Sequence, residues 1–119
     1  MLNYIEHSVF EKEFQSFSGK YHCSKDLEHL KNLFDIHFHP ENPRPMIGPG
    51  KIHRLKDCCT CVLWKVEMVV SGLRKNQCPR IWFGVQGDTI AFLCMGTHID
   101  NHDDFYLTQV AETLISDIF

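Results

Sequence analysis

The second half of the chain alternates with a period of two, the pattern of a strand with one covered face. In VLWKVEMVV, Val62, Trp64, Val66, Met68 and Val70 fall on one side and Leu63, Lys65, Glu67 and Val69 on the other. After the polar connection SGLRKNQCP comes RIWFGV, then the tight turn QGD, then TIAFLCMG, which is apolar on both faces and so reads as a central strand. Three strands joined this closely pair antiparallel, and such a sheet needs helices to cover it.

The first third supplies them. Residues 2–7 alternate weakly and end at Ser8, and Ser8 with Glu11 has the spacing of a capping box. A strand is therefore expected to hand over to a helix over 8–17, stopped by Ser18-Gly19. A second helix opens at Ser24, with Leu27, Leu30 and Phe34 at helical spacing and Leu33 widening the stripe. Pro40, Pro43, Pro45 and Pro49, with Gly48 and Gly50, make 40–50 a loop. The last helix begins at Asp103 or Asp104, where acids suit the positive end of its dipole, and carries Leu107, Val110, Ala111, Leu114 and Ile118. The expected order is strand, helix, helix, loop, three antiparallel strands, helix. The fold class is α+β, a small antiparallel or mixed sheet with an N-terminal helical hairpin on one face and a C-terminal helix. Helices gathered on one face would leave the other free to carry a site.

At 119 residues, 44% hydrophobic and 23% charged, the chain is long enough for one core, so residues 1–119 read as a single domain. It has no apolar run of membrane-spanning length, and its first residues are too polar for a secretory leader, which gives the expectation of a cytoplasmic protein without membrane contact. In that setting the six cysteines are expected as thiols, with Cys94 as core filling. His37 and His39, Cys58, Cys59 and Cys61, and His98, Asp100 and His102 form clusters without the paired spacing of a structural zinc site, so no metal or other cofactor is expected.

The net charge of −3 hides an uneven distribution. Between Arg44 and Arg80 stand eight of the twelve bases against two acids, a net of +6, while the remainder carries four bases and thirteen acids, −9. That layout fits a basic cleft in an acidic shell, and equally a chance grouping of solvated charges.

The run from Trp64 to Asp104 has a lysine-bearing strand, a glycine-basic connection, Pro-Arg opening an aromatic strand, a glycine turn, an apolar strand and a polar exit. With the spacing Phe10, Lys12, Phe14 in the first helix, it resembles toxins of the RelE/ParE superfamily. The resemblance covers nearly the whole chain in element order. It implies a toxin of a type II toxin–antitoxin pair that acts as a metal-independent endoribonuclease on translated mRNA in the ribosomal A site, with a cognate antitoxin as partner. Glu67, Arg80 and His98 match the branch whose site uses a glutamate, an arginine and a histidine. Lys65 matches branches that rely on lysines, and Tyr106 stands for a late tyrosine. The alternative within the superfamily is a ParE-like gyrase inhibitor, or a non-catalytic relative that only binds antitoxin.

The chemistry agrees with the first reading. RNA cleavage without metal needs a base for the 2′-hydroxyl proton, a cation for the phosphorane and an acid for the leaving 5′-oxygen. Arg80 can fork onto phosphate, and Trp82, on the same strand face, can stack on a base. Lys51, Arg54, Arg74 and Lys75 can contact phosphates. Each residue has a plainer account: a cross-strand ion pair for Glu67 and Arg80, a core aromatic for Trp82, a structural histidine for His98, and solvated surface for the other cations.

Overall fold

The computed structural model describes residues 2–58, 60–97 and 103–119. The alternation beginning at Cys61 does form a strand, and it lies inside a five-stranded sheet. Among the described residues the elements are β1 (Asn3–Glu6), α1 (Ser8–Tyr21), α2 (Ser24–His37), β2 (Ile52–Cys58), β3 (Cys61–Glu67), β4 (Arg80–Gln86), β5 (Thr89–Gly96) and α3 (Asp104–Ile115), with a 3-10 turn at Lys75–Gln77. The strand order is β1-β5-β4-β3-β2; β1 runs parallel to β5 and every other pair is antiparallel. The apolar β5 is flanked on both sides, as its composition requires. Gly87, with a φ of 58°, supplies the positive dihedral that the two-residue turn between β4 and β5 needs at its first position.

Both faces of the sheet are covered, which corrects the expectation of one free face. On one side the α1–α2 hairpin packs over Val66, Ile81, Phe83, Ile90 and Phe92. Phe34 of α2 lies 4.8 Å from Phe83 and Phe10 of α1 lies 5.2 Å from Phe92, ring centre to ring centre. Full burial of each such side chain contributes about 1.5–3 kcal/mol. On the other side α3 lays Leu107, Ala111 and Ile115 over Leu63, Trp82, Ala91, Leu93 and Cys94. It can come this close because Gly84 has no side chain: a Cβ there would sit 2.7 Å from Ile115 Cδ1 and 3.1 Å from Phe119 Cε2. No helix among the described residues is long and apolar enough to cross a membrane.

Three local expectations also change. Residues 52–58 form an edge strand paired with β3, an element absent from the expected order. Helix α1 runs through Ser18-Gly19 to Tyr21 and ends at His22, whose φ of 51° is left-handed. The cap of α1 is His7, whose ring accepts from the Val9 amide, so Ser8 is the first helical residue and no capping box forms. The other ring nitrogen of His7 meets Asp117 at 2.8 Å, tying the start of α1 to the end of the chain.

Candidate functional site: a cationic hollow where the sheet meets α3

Strand register brings the site together. Glu67, the last residue of β3, is the cross-strand partner of Arg80, the first of β4, and Arg80 in turn partners Gly96 at the end of β5. On the outer side, the Glu67 amide donates to the Lys51 carbonyl at 2.8 Å. Four strands thus end in one row, and the side chains of Lys65, Glu67, Arg80 and Trp82 belong to the α3 side by their alternation with the hairpin-facing Val66 and Ile81.

At this row a hollow of about 430 Å³ is lined by Glu67, Arg74, Lys75, Asn76, Cys78 and Arg80. Three cations therefore face one carboxylate. Arg74 and Lys75 come from the connection between β3 and β4, which the 3-10 turn folds back toward the sheet; the Arg74 amide donates to Gln77 Oε1 at 3.0 Å and closes that turn. Beside the hollow, a second cleft of about 330 Å³ runs between α1 and β5, with Lys12, Ser16 and Lys20 along one helix face and Gly96 and Thr97 at its floor. Glu13 from that face accepts from the Met95 amide at 3.1 Å, a donor left beyond the end of β1 pairing, which stops at Phe92.

Arg80 is the buried member of the set, 7% exposed. Its guanidinium pairs with Asp104 in the first turn of α3 and lies 5.8 Å from the centre of the Trp82 ring. Lys65 Nζ also donates to Asp104, at 2.9 Å. Burial lowers the Arg80 pKa, against the opposing pull of the Glu67 charge. Burial also lowers the Lys65 pKa, and the neighbouring charge of Arg80 adds to that. One aspartate thus holds two desolvated cations. Sequence reading missed this role: both aspartates stand at the start of α3 as expected, Asp103 as its cap, accepting from the Phe105 amide at 2.9 Å, and Asp104 in its first turn, but the ion pairs of Asp104 left no trace in the local pattern.

The other expected residues divide. Glu67, Arg80, Arg74 and Lys75 converge on the hollow, and Lys65 stands behind them through Asp104. Lys51 is at the same sheet end but opens onto the hairpin-side cleft, with His29, Val69 and Glu67. Trp82 is fully buried beneath α3, its Nε1 donating to Thr108 Oγ1 at 3.0 Å, so base stacking is excluded and its work is to support Arg80. Arg54 is turned away, bonded to Asp57 at 2.6 Å beside a cleft shared with Gln86 and Gly87 at the far end of the sheet. Tyr106 is exposed, and two positions on from Asp104 it faces a different side of α3. His98 lies outside the described residues, as do Cys59, Asp100 and His102; among the described residues no group of three His, Cys, Asp or Glu side chains is arranged to hold a metal ion.

Compared with protein-family models, with curated proteins and with solved structures, the chain matches none.

Proposed function

We propose that the protein is a RelE-like toxin, a metal-independent endoribonuclease that cleaves translated mRNA. The observation that carries this reading is the hollow in which Arg80, Arg74 and Lys75 surround one carboxylate, Glu67. A phosphodiester seated there meets the guanidinium fork of Arg80, which balances the charge that develops on the phosphorane. Glu67 takes the proton of the ribose 2′-hydroxyl as its oxygen attacks phosphorus. The bond to the 5′-oxygen breaks, leaving a 2′,3′-cyclic phosphate, and the leaving oxygen takes a proton from an acid, the role the sequence resemblance gives to His98. The phosphate competes with Asp104 for Arg80, so binding exchanges one anion for another with no net charge buried. A cognate antitoxin is the partner that this reading requires.

The test is induced expression of the chain alone, followed by primer extension on cellular mRNA. Growth arrest with discrete mRNA cleavage is the expected outcome, and Arg80→Ala relieves both while circular dichroism stays native. A stable Arg80→Ala protein that still cleaves removes the assignment. The ion pair of Arg80 with Asp104 also suits a toxin that binds without cutting, because it occupies the guanidinium in the resting state. Arrest accompanied by a DNA-damage response and intact mRNA selects that ParE-like reading.

A further inference from the structure

A second reactive feature lies at the opposite end of the sheet, and it stands independently of RNA cleavage. Cys58 ends β2 and Cys61 begins β3, and the two are direct cross-strand partners. Both belong to the apolar cluster under α3, so their side chains share one face. Directly opposed residues in an antiparallel pair have Cα atoms about 4.5 or 5.5 Å apart, and either spacing lies within the range a disulfide spans, about 4.4–6.8 Å. Cys23, Cys58, Cys61, Cys78 and Cys94 are all present as thiols.

We propose that Cys58 and Cys61 form a reversible redox pair, closed to a disulfide by a peroxide or by a small-molecule disulfide such as oxidised glutathione. With peroxide, the Cys58 thiolate attacks one oxygen, water leaves and a sulfenic acid forms. The Cys61 sulfur then displaces hydroxide from it, so two thiols and one peroxide give one disulfide and two waters. With a small-molecule disulfide, Cys58 forms the mixed disulfide and Cys61 releases the second thiol.

Access sets the order of events. Both cysteines line a cavity of about 420 Å³ together with Lys56, Asp57, Thr60 and Glu112; Cys58 is half-buried there, whereas Cys61 is buried, its Sγ donating to the Cys58 carbonyl at 3.3 Å. The outer sulfur meets the oxidant and the inner one resolves it. Elsewhere burial opposes ionisation: it pushes the Cys94 thiol up to about 12 and raises Cys23 as well. The ring closed is short, so it constrains the unfolded chain little, and the bond stays within reach of cellular reductants.

The full chain is treated with hydrogen peroxide or oxidised glutathione, remaining thiols are alkylated, and tryptic peptides are fragmented by mass spectrometry. The expected result is loss of two of the six thiols, with a mass loss of two hydrogens in the segment 57–65 and reversal by dithiothreitol. Cys59→Ser retains this closure, and Cys61→Ser or Cys58→Ser abolishes it. A bond from Cys59 to either neighbour, a stable mixed disulfide at Cys58 without closure, or prior oxidation of Cys78 overturns the proposal.

Discussion

Asp104 of α3 binds Lys65 of β3 and Arg80 of β4 at once, so a single carboxylate fixes the third helix to two strands and sets the charge of the hollow beside them. Asp104→Asn removes that charge and leaves two desolvated cations facing each other. Stability is expected to fall by about 1–2 kcal/mol, less than the full cost of breaking a buried pair because the Asp104 side chain is 39% exposed. Affinity for a single-stranded oligonucleotide is expected to rise several-fold, since Arg80 no longer has a competing anion. Urea denaturation and fluorescence anisotropy measure the two effects, and weaker oligonucleotide binding by a folded variant refutes the placement of the phosphate at Arg80.

Arg74 and Lys75 lie in the polar connection between β3 and β4, and the turn at Lys75–Gln77 brings them to the hollow. If they contact phosphates, each alanine substitution lowers the slope of log affinity against log salt by about 1, because one fewer counterion is released. A slope that is unchanged in the double variant returns both residues to solvated surface.

Trp82 separates packing from recognition. Trp82→Phe loses the bond to Thr108 and part of the packing under α3, an expected cost of about 1–3 kcal/mol, while leaving oligonucleotide affinity unchanged below the melting transition. A loss of affinity without loss of stability restores the tryptophan to the binding surface.

Gly84→Ala drives a methyl group into Ile115 and Phe119 and is expected to destabilise by about 1–3 kcal/mol. Ile115→Val removes the nearest atom, so the double variant is expected to recover part of that loss. Strict additivity of the two substitutions in a denaturation cycle contradicts the contact.

Cys94 gives an alkaline prediction with a definite sign. Burial, with a contribution from the Glu13 charge, raises its thiol from 9.0 to about 12. Between those values the unfolded chain has released a proton that the folded chain keeps, so stability declines as pH rises, by up to about 1.4 kcal/mol per unit. Below pH 9 this contribution is constant. Cys94→Ala lowers stability at every pH through the cavity it leaves, but flattens the slope above pH 9; parallel curves for the two proteins exclude the effect.

What the sequence disclosed follows from what periodicity can carry. Leu27, Leu30 and Phe34 announced α2, and the alternation through Leu63, Lys65 and Glu67 announced β3, because each pattern records a face buried against something. Strand β2 left no such record. In IHRLKDC only Ile52 is buried, since an edge strand is held by its ladder to β3 and exposes most of its side chains. Gly19 suggested an early stop in α1, but the Phe17 and Tyr21 rings pack at 4.7 Å, centre to centre and tilted by 40°, and carry the helix past it. At the site, spacing correctly grouped Arg80 with Trp82 and Lys65 with Glu67, yet what covers that face was encoded in α3, whose Asp104 lies 24 residues beyond Arg80 and 39 beyond Lys65. The same local pattern serves an open binding surface and a sealed one, and only the placement of α3 over the sheet distinguishes them.

The parallel pairing of β1 with β5 has a consequence for synthesis. Strand β1 finds its neighbour only after β5 has been made, with both hairpin helices and the intervening meander between them. Arg80 acquires its carboxylate later still, when α3 arrives. A nascent chain therefore carries the lining of the hollow well before α3 arrives to hold it in place.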